Sequence, residues 1–355
     1  MRYFLELCLK SVETAIENID AEIIVVDNNS PDDSCKMVAS LFPSVKLIEN
    51  KDNSGFSKGN NIGVAQAKGE YLCILNPDTV VAEDTFIKLL DFADSKENLG
   101  IVGCQLIDGK GKFLPESKRN IPSPKVSLKK MLGNDKTYYA NHLEIDSNGK
   151  VEILVGAFMF LKKDVYNAVG GFDEDYFMYG EDIDLSYKVL KAGYYNYYFG
   201  ETTIIHFKGE STLKDANYAK RFYSAMQIFY KKHFKSNVLF NGVVWLGIKL
   251  AYSLRKSNSP VKIASKNTDV FSNGIEESLK KQLQQPVSIQ NKIANEISNN
   301  TMVVYDFSAF KIKAIIEDMK KKSEHDNIVF RLLPKNSKFI LGSDSAINRG
   351  EVIHF

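Results

Sequence analysis

Short apolar runs that alternate with helical patterns place the strongest limit on the fold of this chain. The runs at 22–26, 45–48 and 71–75 are typical of strands, and the patterns at 34–41, 58–67 and 83–93 are typical of helices. Strands separated by helices predict an α/β fold with a mostly parallel central sheet. Ligands of such sheets bind beyond the carboxyl ends of the strands. We therefore expect Asp27 and Asp78, which follow the first and third runs, to lie at the binding edge.

The composition excludes several classes of protein. The 355 residues are 44% hydrophobic and 25% charged, which is ordinary for a globular protein and enough for one large domain and a small one. A net charge of +2 argues against nucleic acid as the main partner. The four cysteines form no C-x-x-C pair and no zinc pattern. A chain without an evident disulfide framework suits a reducing compartment, so we expect a cytoplasmic protein.

An acidic motif opens the helical pattern at 181–190. Glu181, Asp182 and Asp184 follow Gly180 directly. The helix dipole stabilises carboxylates at a helix N-terminus in their charged form, and a charged carboxylate is what a general base requires. The alternative is the common preference of acidic residues for a first helical turn.

Two polar segments follow the predicted strands. Residues 53–63 are rich in Gly and Asn and lead into a helix, which suits close approach of the backbone to a ligand and an anion at the helix N-terminus. The residues singled out there are Asn53, Gly55, Lys58 and Asn61. Asn76 and Asp78 flank a proline directly after the third strand. The alternatives are an ordinary turn at 76–78 and a solvent-exposed side chain for Lys58.

These segments together resemble the family 2 glycosyltransferases, which have the nucleotide-sugar-binding GT-A fold. The resemblance is carried by four motifs in the same order: VVDNNS, the stretch from NSGFSKGNNIG to LNPDTVV, GGFDEDYFMYGEDIDL and IIHFKGEST. It covers roughly residues 1–212. Within the family, the chain is most similar to the rhamnosyltransferase-like enzymes of bacterial surface-polysaccharide synthesis.

The resemblance implies a donor side of the site. Asp27 and Asn29 would contact the nucleotide, and residues 53–63 would lie beside it. The 76–78 segment occupies the D-x-D position of the family, with Asn76 replacing the first acid, so Asp78 would engage a divalent cation. Mg²⁺ or Mn²⁺ suits its oxygen ligands. His206 would approach the metal or the diphosphate, although a lone histidine is as often structural.

The resemblance also implies an acceptor side. Asp182 matches the catalytic base of the family, and Glu181 would orient the acceptor or a neighbouring backbone group. Gly156 and Ala157 match the segment that shapes the acceptor side. Asp184 faces another side of the helix and would be a structural cap.

The implied activity is metal-dependent, inverting transfer of a sugar from a nucleotide sugar to a glycan or lipid-linked acceptor in cell-surface polysaccharide synthesis. The donor would be a UDP- or dTDP-sugar, with dTDP-rhamnose as the leading candidate. Two alternatives remain open. One is a sugar-phosphate nucleotidyltransferase, although such enzymes carry a Gly-rich, Arg-containing loop near the N-terminus that this sequence lacks. The other is a non-catalytic nucleotide-sugar-binding or scaffold protein.

The sequence divides into three parts. Residues 1–215 would form the catalytic domain, 216–256 a helical segment, and 257–355 a small α/β unit without a phosphate-loop or dinucleotide fingerprint. The apolar run at 238–254 has basic flanks. Such a run suits either a helix in the interface of an anionic membrane, at the inner face of the plasma membrane, or a helix packed on the core.

One element of the family pattern is missing at the front. Family members begin with an apolar strand in the middle of the sheet, whereas this sequence opens on the helical pattern at 1–16. Loss of a central strand would leave ladder groups unpaired on both of its neighbours. We expect either that the start codon is assigned too late or that the chain is truncated, and we favour the late start.

Overall fold

The computed structural model describes residues 1–131, 133–208, 216–234, 265–283, 285–325, 327–346 and 349–355. The strands are β1 (Ile24–Asp27), β2 (Lys46–Glu49), β3 (Tyr71–Leu75), β4 (Thr79–Val80), β5 (Leu99–Ile107), β6 (Asn148–Val151), β7 (Phe158–Lys162), β8 (Tyr195–His206), β9 (Asn267–Phe271), β10 (Val287–Gln290), β11 (Thr301–Asp306), β12 (Val329–Leu333), β13 (Phe339–Gly342) and β14 (Glu351–His354). The helices are α1 (Arg2–Ala15), α2 (Ser34–Leu41), α3 (Gly55–Gln66), α4 (Thr85–Asp94), α5 (Pro124–Met131), α6 (Lys163–Ala168), α7 (Glu181–Lys191), α8 (Ala216–His233), α9 (Glu277–Leu283) and α10 (Ile312–Lys322).

The larger sheet of the catalytic unit is mixed. Its order is β3-β7-β5-β8-β4, with β6 paired to β8. β5 and β8 are parallel, whereas β3–β7, β5–β7, β4–β8 and β6–β8 are antiparallel. The α/β class is confirmed, but the prediction of a mostly parallel sheet is wrong for this sheet. The reason is that the strand and helix alternation from which it was drawn ends after β3, and β4 and β7 enter the sheet in the opposite direction.

A gap separates β1 from β3. β1 pairs with β2 in a separate parallel pair, and β3 pairs with β7 at the edge of the larger sheet. An apolar cavity of about 540 Å³ lies between the two strands, lined by residues that include Val12, Ile24, Val26, Leu72 and Ile74. No described strand lies between β1 and β3, and the central strand expected from the family pattern stays a prediction.

The C-terminal unit, which runs from β9 to β14 with α9 and α10, has its own sheet. The strand order is β10-β9-β11-β12-β13-β14, with parallel pairing from β10 to β12 and antiparallel pairing beyond it. This confirms the small α/β unit expected at the end of the chain. Its apolar side chains share one buried cluster with the catalytic unit, which includes Val80 and Phe207 together with Tyr305 and Ile316.

The helical pattern after the catalytic unit is present as α8. Within the described residues, no helix combines the length and the apolar character needed to cross a membrane. The apolar run at 238–254, for which membrane contact is predicted, lies outside the described residues.

Asn196 holds the helix that carries the acidic motif against the sheet. Its side chain is fully buried in β8. The amide nitrogen donates to the carbonyl oxygens of Glu152, at 2.8 Å, and of Ser186 in α7, at 3.0 Å. The amide oxygen accepts from the backbone nitrogen of Ile101 in β5, at 3.0 Å. One buried amide therefore joins α7 to the loop before β7 and to the central strand.

Asn196→Ala should lower the free energy of unfolding by about 2–4 kcal/mol, because it leaves buried backbone groups without partners. Urea unfolding of the variant and the wild type measures the difference. Asn148→Ala is the matched control, since its amide bonds Glu201 at the surface and its loss should change stability by less than about 1 kcal/mol. Equal effects of the two substitutions would contradict the role given to Asn196.

Candidate active site

Antiparallel pairing of β4 with β8 brings Asp78 and His206 together. Thr79 pairs with His206 across the two strands, so the residue before β4 lies beside the end of β8. The His206 Nε2 atom is 3.5 Å from Asp78 Oδ1 and 3.5 Å from the amide nitrogen of Asn76. Both Asp78 and His206 are buried. Three predicted donor-side residues therefore form one cluster at the end of β3.

The Asp78–His206 pair suits a divalent cation. Asp78 Oδ1 and His206 Nδ1 are buried and have no hydrogen-bond partner. A buried carboxylate oxygen without a donor is costly, and a cation would compensate it. In the part of the chain that the structure describes, no three His, Cys, Asp or Glu residues form a group that could hold a metal. The remaining ligands would therefore have to come from a bound substrate or water.

Asp182 lies at the start of α7 and is held by a buried arginine. Arg119 Nη2 donates to Asp182 Oδ2 at 2.7 Å, and the backbone nitrogen of Gly156 donates to the same oxygen at 3.1 Å. Asp182 Oδ1 accepts from the backbone nitrogen of Ile183 at 2.8 Å. Arg119 also donates to the Leu154 carbonyl at 2.6 Å. Hydrogen bonds therefore fix the orientation of both oxygen atoms of the Asp182 carboxylate.

Arg119 is not among the site residues that the sequence patterns predict. No periodic pattern marks it, because its position is set by isolated bridges to Tyr139 and Ile153 and its ionic partner is 63 residues away. A weak signal was available. An arginine in a loop has to find a partner if the fold buries it.

Gly156 and Ala157 connect the two clusters. Besides the bond from Gly156 to Asp182, the Ala157 carbonyl accepts from the backbone nitrogen of Asn76 at 3.0 Å. A Cβ atom on Gly156 would lie 3.3 Å from the Asp182 Cβ, which is a tight contact. The segment predicted to shape the acceptor side therefore lies between the predicted base and the predicted metal residue.

Glu181 is buried next to Asp182 at the first position of α7, the start that the sequence predicts. Its Oε2 atom has no hydrogen-bond partner. Burial, and then the charge of Asp182, raise the pKa of Glu181 to about 8, while Arg119 opposes the shift. The shift favours the protonated form of Glu181, which can donate a hydrogen bond.

Asp184 has a different role from the cap that the sequence suggests. Its side chain is fully buried and lies 2.6 Å from His233 Nε2 at the end of α8. It also accepts from the Tyr176 hydroxyl at 3.3 Å and pairs with Lys188 at 3.3 Å. Asp184 therefore fastens α8 to the helix that presents Glu181 and Asp182.

The predicted nucleotide loop is built around Asn28. Its amide donates to the Gly55 carbonyl at 2.9 Å and accepts from the Ser54 hydroxyl at 2.9 Å. Asp27 accepts from the Ser30 backbone nitrogen at 3.0 Å, which closes a turn. Asn29, next in the chain, is exposed and has a φ of 60°. The end of β1 and the loop at 53–55 therefore form one polar surface.

Gly55 is required by its backbone. Its φ is +81°, and a Cβ atom there would lie 2.4 Å from the Phe177 carbonyl oxygen. The side chain of Asn53 accepts from the Gly55 backbone nitrogen at 3.1 Å. This close contact places the loop directly against the segment that leads into α7.

Lys58 and Asn61 stand apart from this polar surface. Lys58 is exposed on α3. The Asn61 amide donates to the Phe172 carbonyl and to Glu174, and it accepts from the Tyr166 hydroxyl and the Phe172 nitrogen. These contacts give Asn61 a structural role in the loop at 171–174.

Glu181→Gln should change how stability depends on pH. The folded pKa of about 8 lies above the ordinary value of 4.5, so the folded protein binds more protons between these values and loses stability as the pH rises through the window. The amide removes this loss, so the variant should match the wild type near pH 4 and exceed it by roughly a few kcal/mol above pH 8. Chemical unfolding at a series of pH values measures this. Glu97→Gln, at an exposed carboxylate, is the control, and parallel curves for all three proteins would contradict the assignment.

Comparisons with known proteins place the chain in a family. The family model described as glycosyl transferase family 2 matches residues 3–170. The N-acetylglucosaminyl-diphospho-decaprenol L-rhamnosyltransferase of Mycobacterium tuberculosis is 30% identical over 230 residues, which are 59% of this chain and 74% of that protein. Rhamnosyltransferase WbbL of Escherichia coli is 28% identical over 208 residues, which are 55% of this chain and 78% of that protein.

Among solved structures, a mannosyltransferase from Pyrobaculum calidifontis in complex with GDP-Man and Mn²⁺ is similar at 18% identity and a TM-score of 0.46, over 72% of this chain and 67% of that chain. TarS of S. aureus, residues 1–349, is similar at 15% identity and a TM-score of 0.43, over 71% of this chain and 68% of that chain. These overlaps are too distant to add to the sequence comparison. On the family match and the 30% identity across most of the mycobacterial relative, the chain belongs to glycosyl transferase family 2 and is a glycosyltransferase with the GT-A fold.

Proposed function

We propose that this enzyme transfers a sugar, with inversion, from a UDP- or dTDP-sugar to a hydroxyl group of a glycan or lipid-linked acceptor in surface-polysaccharide synthesis. The observation that carries the proposal is the joining of two clusters through Gly156 and Ala157, with Asp78 and His206 on one side and Asp182 on the other. Two relatives described as rhamnosyltransferases favour dTDP-rhamnose as the donor. Family membership favours this proposal over a nucleotidyltransferase or a binding protein without activity.

Asp78 and His206 would hold a divalent cation, Mg²⁺ or Mn²⁺. When bound, the cation would supply Lewis-acid neutralisation of the leaving diphosphate. The chain's own contribution is to fix both buried side chains where β4 pairs with β8. The Asn76 side chain contacts His206, and its backbone is anchored to Ala157. Asp27, Asn29, Asn53 and Gly55 would bind the nucleotide from the polar surface at the end of β1.

Asp182 would act as the general base. Arg119 and the Gly156 nitrogen hold its Oδ2 atom, while Oδ1 accepts one short bond from its own helix and has a lone pair for the acceptor hydroxyl. As that hydroxyl oxygen forms its bond to C1 of the sugar, its proton passes to Asp182, and the bond from C1 to the diphosphate oxygen breaks on the opposite face. Protonated Glu181 would donate a hydrogen bond to the acceptor.

The position of the enzyme in the cell belongs to the same proposal. A lipid-linked acceptor would place it at the inner face of the plasma membrane, in peripheral contact. The basic residues near the end of α8 are consistent with this, although Lys232 is already paired with Asp173 and Asp175.

Asp78→Ala should abolish the part of donor affinity that depends on metal, because it removes the buried carboxylate expected to hold the cation. Calorimetric titration of UDP and dTDP, with and without Mn²⁺, measures this part. Asp94→Ala is the control, since Asp94 is exposed and bonds Tyr71 at the opposite end of β3. Unchanged metal-linked affinity in a folded Asp78→Ala protein would remove Asp78 from the site.

Asp182→Asn should reduce the rate of transfer by about 10²–10⁴-fold, because the amide cannot take the acceptor proton. Donor affinity should stay within about twofold, since the donor groups lie in the other cluster. Transfer rate, donor affinity and the melting curve are measured on one preparation. A folded variant with near-normal transfer would show that another residue is the base, and Glu181→Gln would then be the next variant to measure.

A further inference from the structure

We infer that the C-terminal unit supports the antiparallel β4–β8 pair and sets the geometry of Asp78 and His206. The inference rests on the proposed role of these two residues in binding metal and donor. The sequence of this unit carries no phosphate-loop or dinucleotide motif that would assign it a role. Its contacts with the catalytic unit include the β4–β8 pair and the turn that follows β5.

The β4–β8 pair needs support from outside its own sheet. β4 has two residues and lies at the end of the strand order, where it pairs with β8. So short an edge strand has few ladder hydrogen bonds to hold Asp78 in place. Val80 of β4 and Phe207, the residue after β8, are nevertheless almost fully buried. They belong to a cluster that includes Tyr305 and Ile316 of the C-terminal unit.

The turn after β5 forms a second point of support. A Cβ atom on Gly109 would lie 2.5 Å from the carbonyl oxygen of Ser343 and 3.1 Å from the Phe207 ring. Gly111 has a φ of +76°, and its Cβ would lie 2.2 Å from the Met319 carbonyl oxygen. The backbone of this turn is therefore in close contact with the C-terminal unit on one side and with Phe207, the residue after His206, on the other.

Polar contacts fix the orientation of the two units. Both carboxylate oxygens of Glu83 accept from the N-terminus of α10, from the nitrogens of Ile312 at 2.6 Å and Lys313 at 3.0 Å. Lys320 donates to the Gln105 side chain in β5 at 2.8 Å. At the other end of the interface, Lys10 donates to the Ser337 hydroxyl at 2.7 Å. Directional bonds at separate points prevent sliding, so the packed cluster has one arrangement.

Because the interface is closely packed, a displacement of the C-terminal unit should also displace the β4–β8 pair. Protein interiors have few voids, so a change at Ser343 or Ile316 must move their neighbours. Phe207 contacts the turn at Gly109 and follows His206 in the chain, and its backbone nitrogen donates to the Asp78 carbonyl at 3.0 Å. A methyl group added at Gly109 should therefore shift both Asp78 and His206.

Gly109→Ala adds this methyl group at the interface. Gly274→Ala is its matched control, because Gly274 lies in the C-terminal unit and the added Cβ would meet no atom within 4 Å apart from its own chain neighbours. We expect Gly109→Ala to raise the donor KM and the Mn²⁺ dissociation constant by about tenfold, with a smaller change in kcat, and Gly274→Ala to change each by less than about twofold. Melting curves establish that both proteins are folded. A folded Gly109→Ala enzyme with wild-type constants would overturn the inference.

A second pair of variants covers the case in which Gly109→Ala does not fold. Ile316→Val removes one methylene from the shared cluster, and Ile340→Val removes the same group from the opposite face of the C-terminal sheet. Ile316→Val should raise the Mn²⁺ and donor constants by about threefold, and Ile340→Val should leave them unchanged. Equal constants in the two variants would overturn the inference.

Asp78→Ala in the same assays separates this inference from the proposed function. Loss of metal-linked affinity in Asp78→Ala, with normal constants in the interface variants, would refute only the inference about the C-terminal unit. Normal metal-linked affinity in Asp78→Ala would refute the proposed metal site itself.

Discussion

Burial of carboxylates within one end of the catalytic unit is the constraint on which the rest of the structure depends. A buried charge must be paired or neutralised, because its transfer from water into the interior costs several kcal/mol. Asp182 is paired with Arg119, and Asp184 with His233 and Lys188. Glu181 is neutralised by a proton instead, since burial and the neighbouring charge of Asp182 raise its pKa.

Asp78 is compensated in yet another way under the proposed function. One of its oxygens is buried without a donor, and the adjacent His206 has a buried nitrogen without a partner. A cation bound at Asp78 Oδ1 would compensate that oxygen, and no proton or arginine is needed. Carboxylates that are compensated differently can have different chemical roles, here hydrogen-bond donor, base and metal ligand.

Part of this arrangement was predictable from local patterns. The start of α7 at Glu181 follows from the acidic first turn and the helical period that comes after it. The positive φ of Gly55 is of the kind that a Gly-rich loop permits. The direction of β7 was not predictable in this way, because a short apolar run has the same appearance in a parallel and an antiparallel strand. Arg119 was missed for a related reason, since its partner Asp182 is far away in the chain.

The sequence by itself determined the α/β class, the family, and the residue types that supply the acids, the amides and the histidine of the site. These depend on composition, on short periods and on motifs, all of which are local along the chain. The tertiary structure alone decided that Arg119 holds Asp182, that Ala157 connects the acceptor side to Asn76, and that the C-terminal unit packs against the β4–β8 pair. Each of these joins segments that are distant in sequence, and such contacts are fixed by close packing and by the need to compensate buried charge, which no short window of sequence contains.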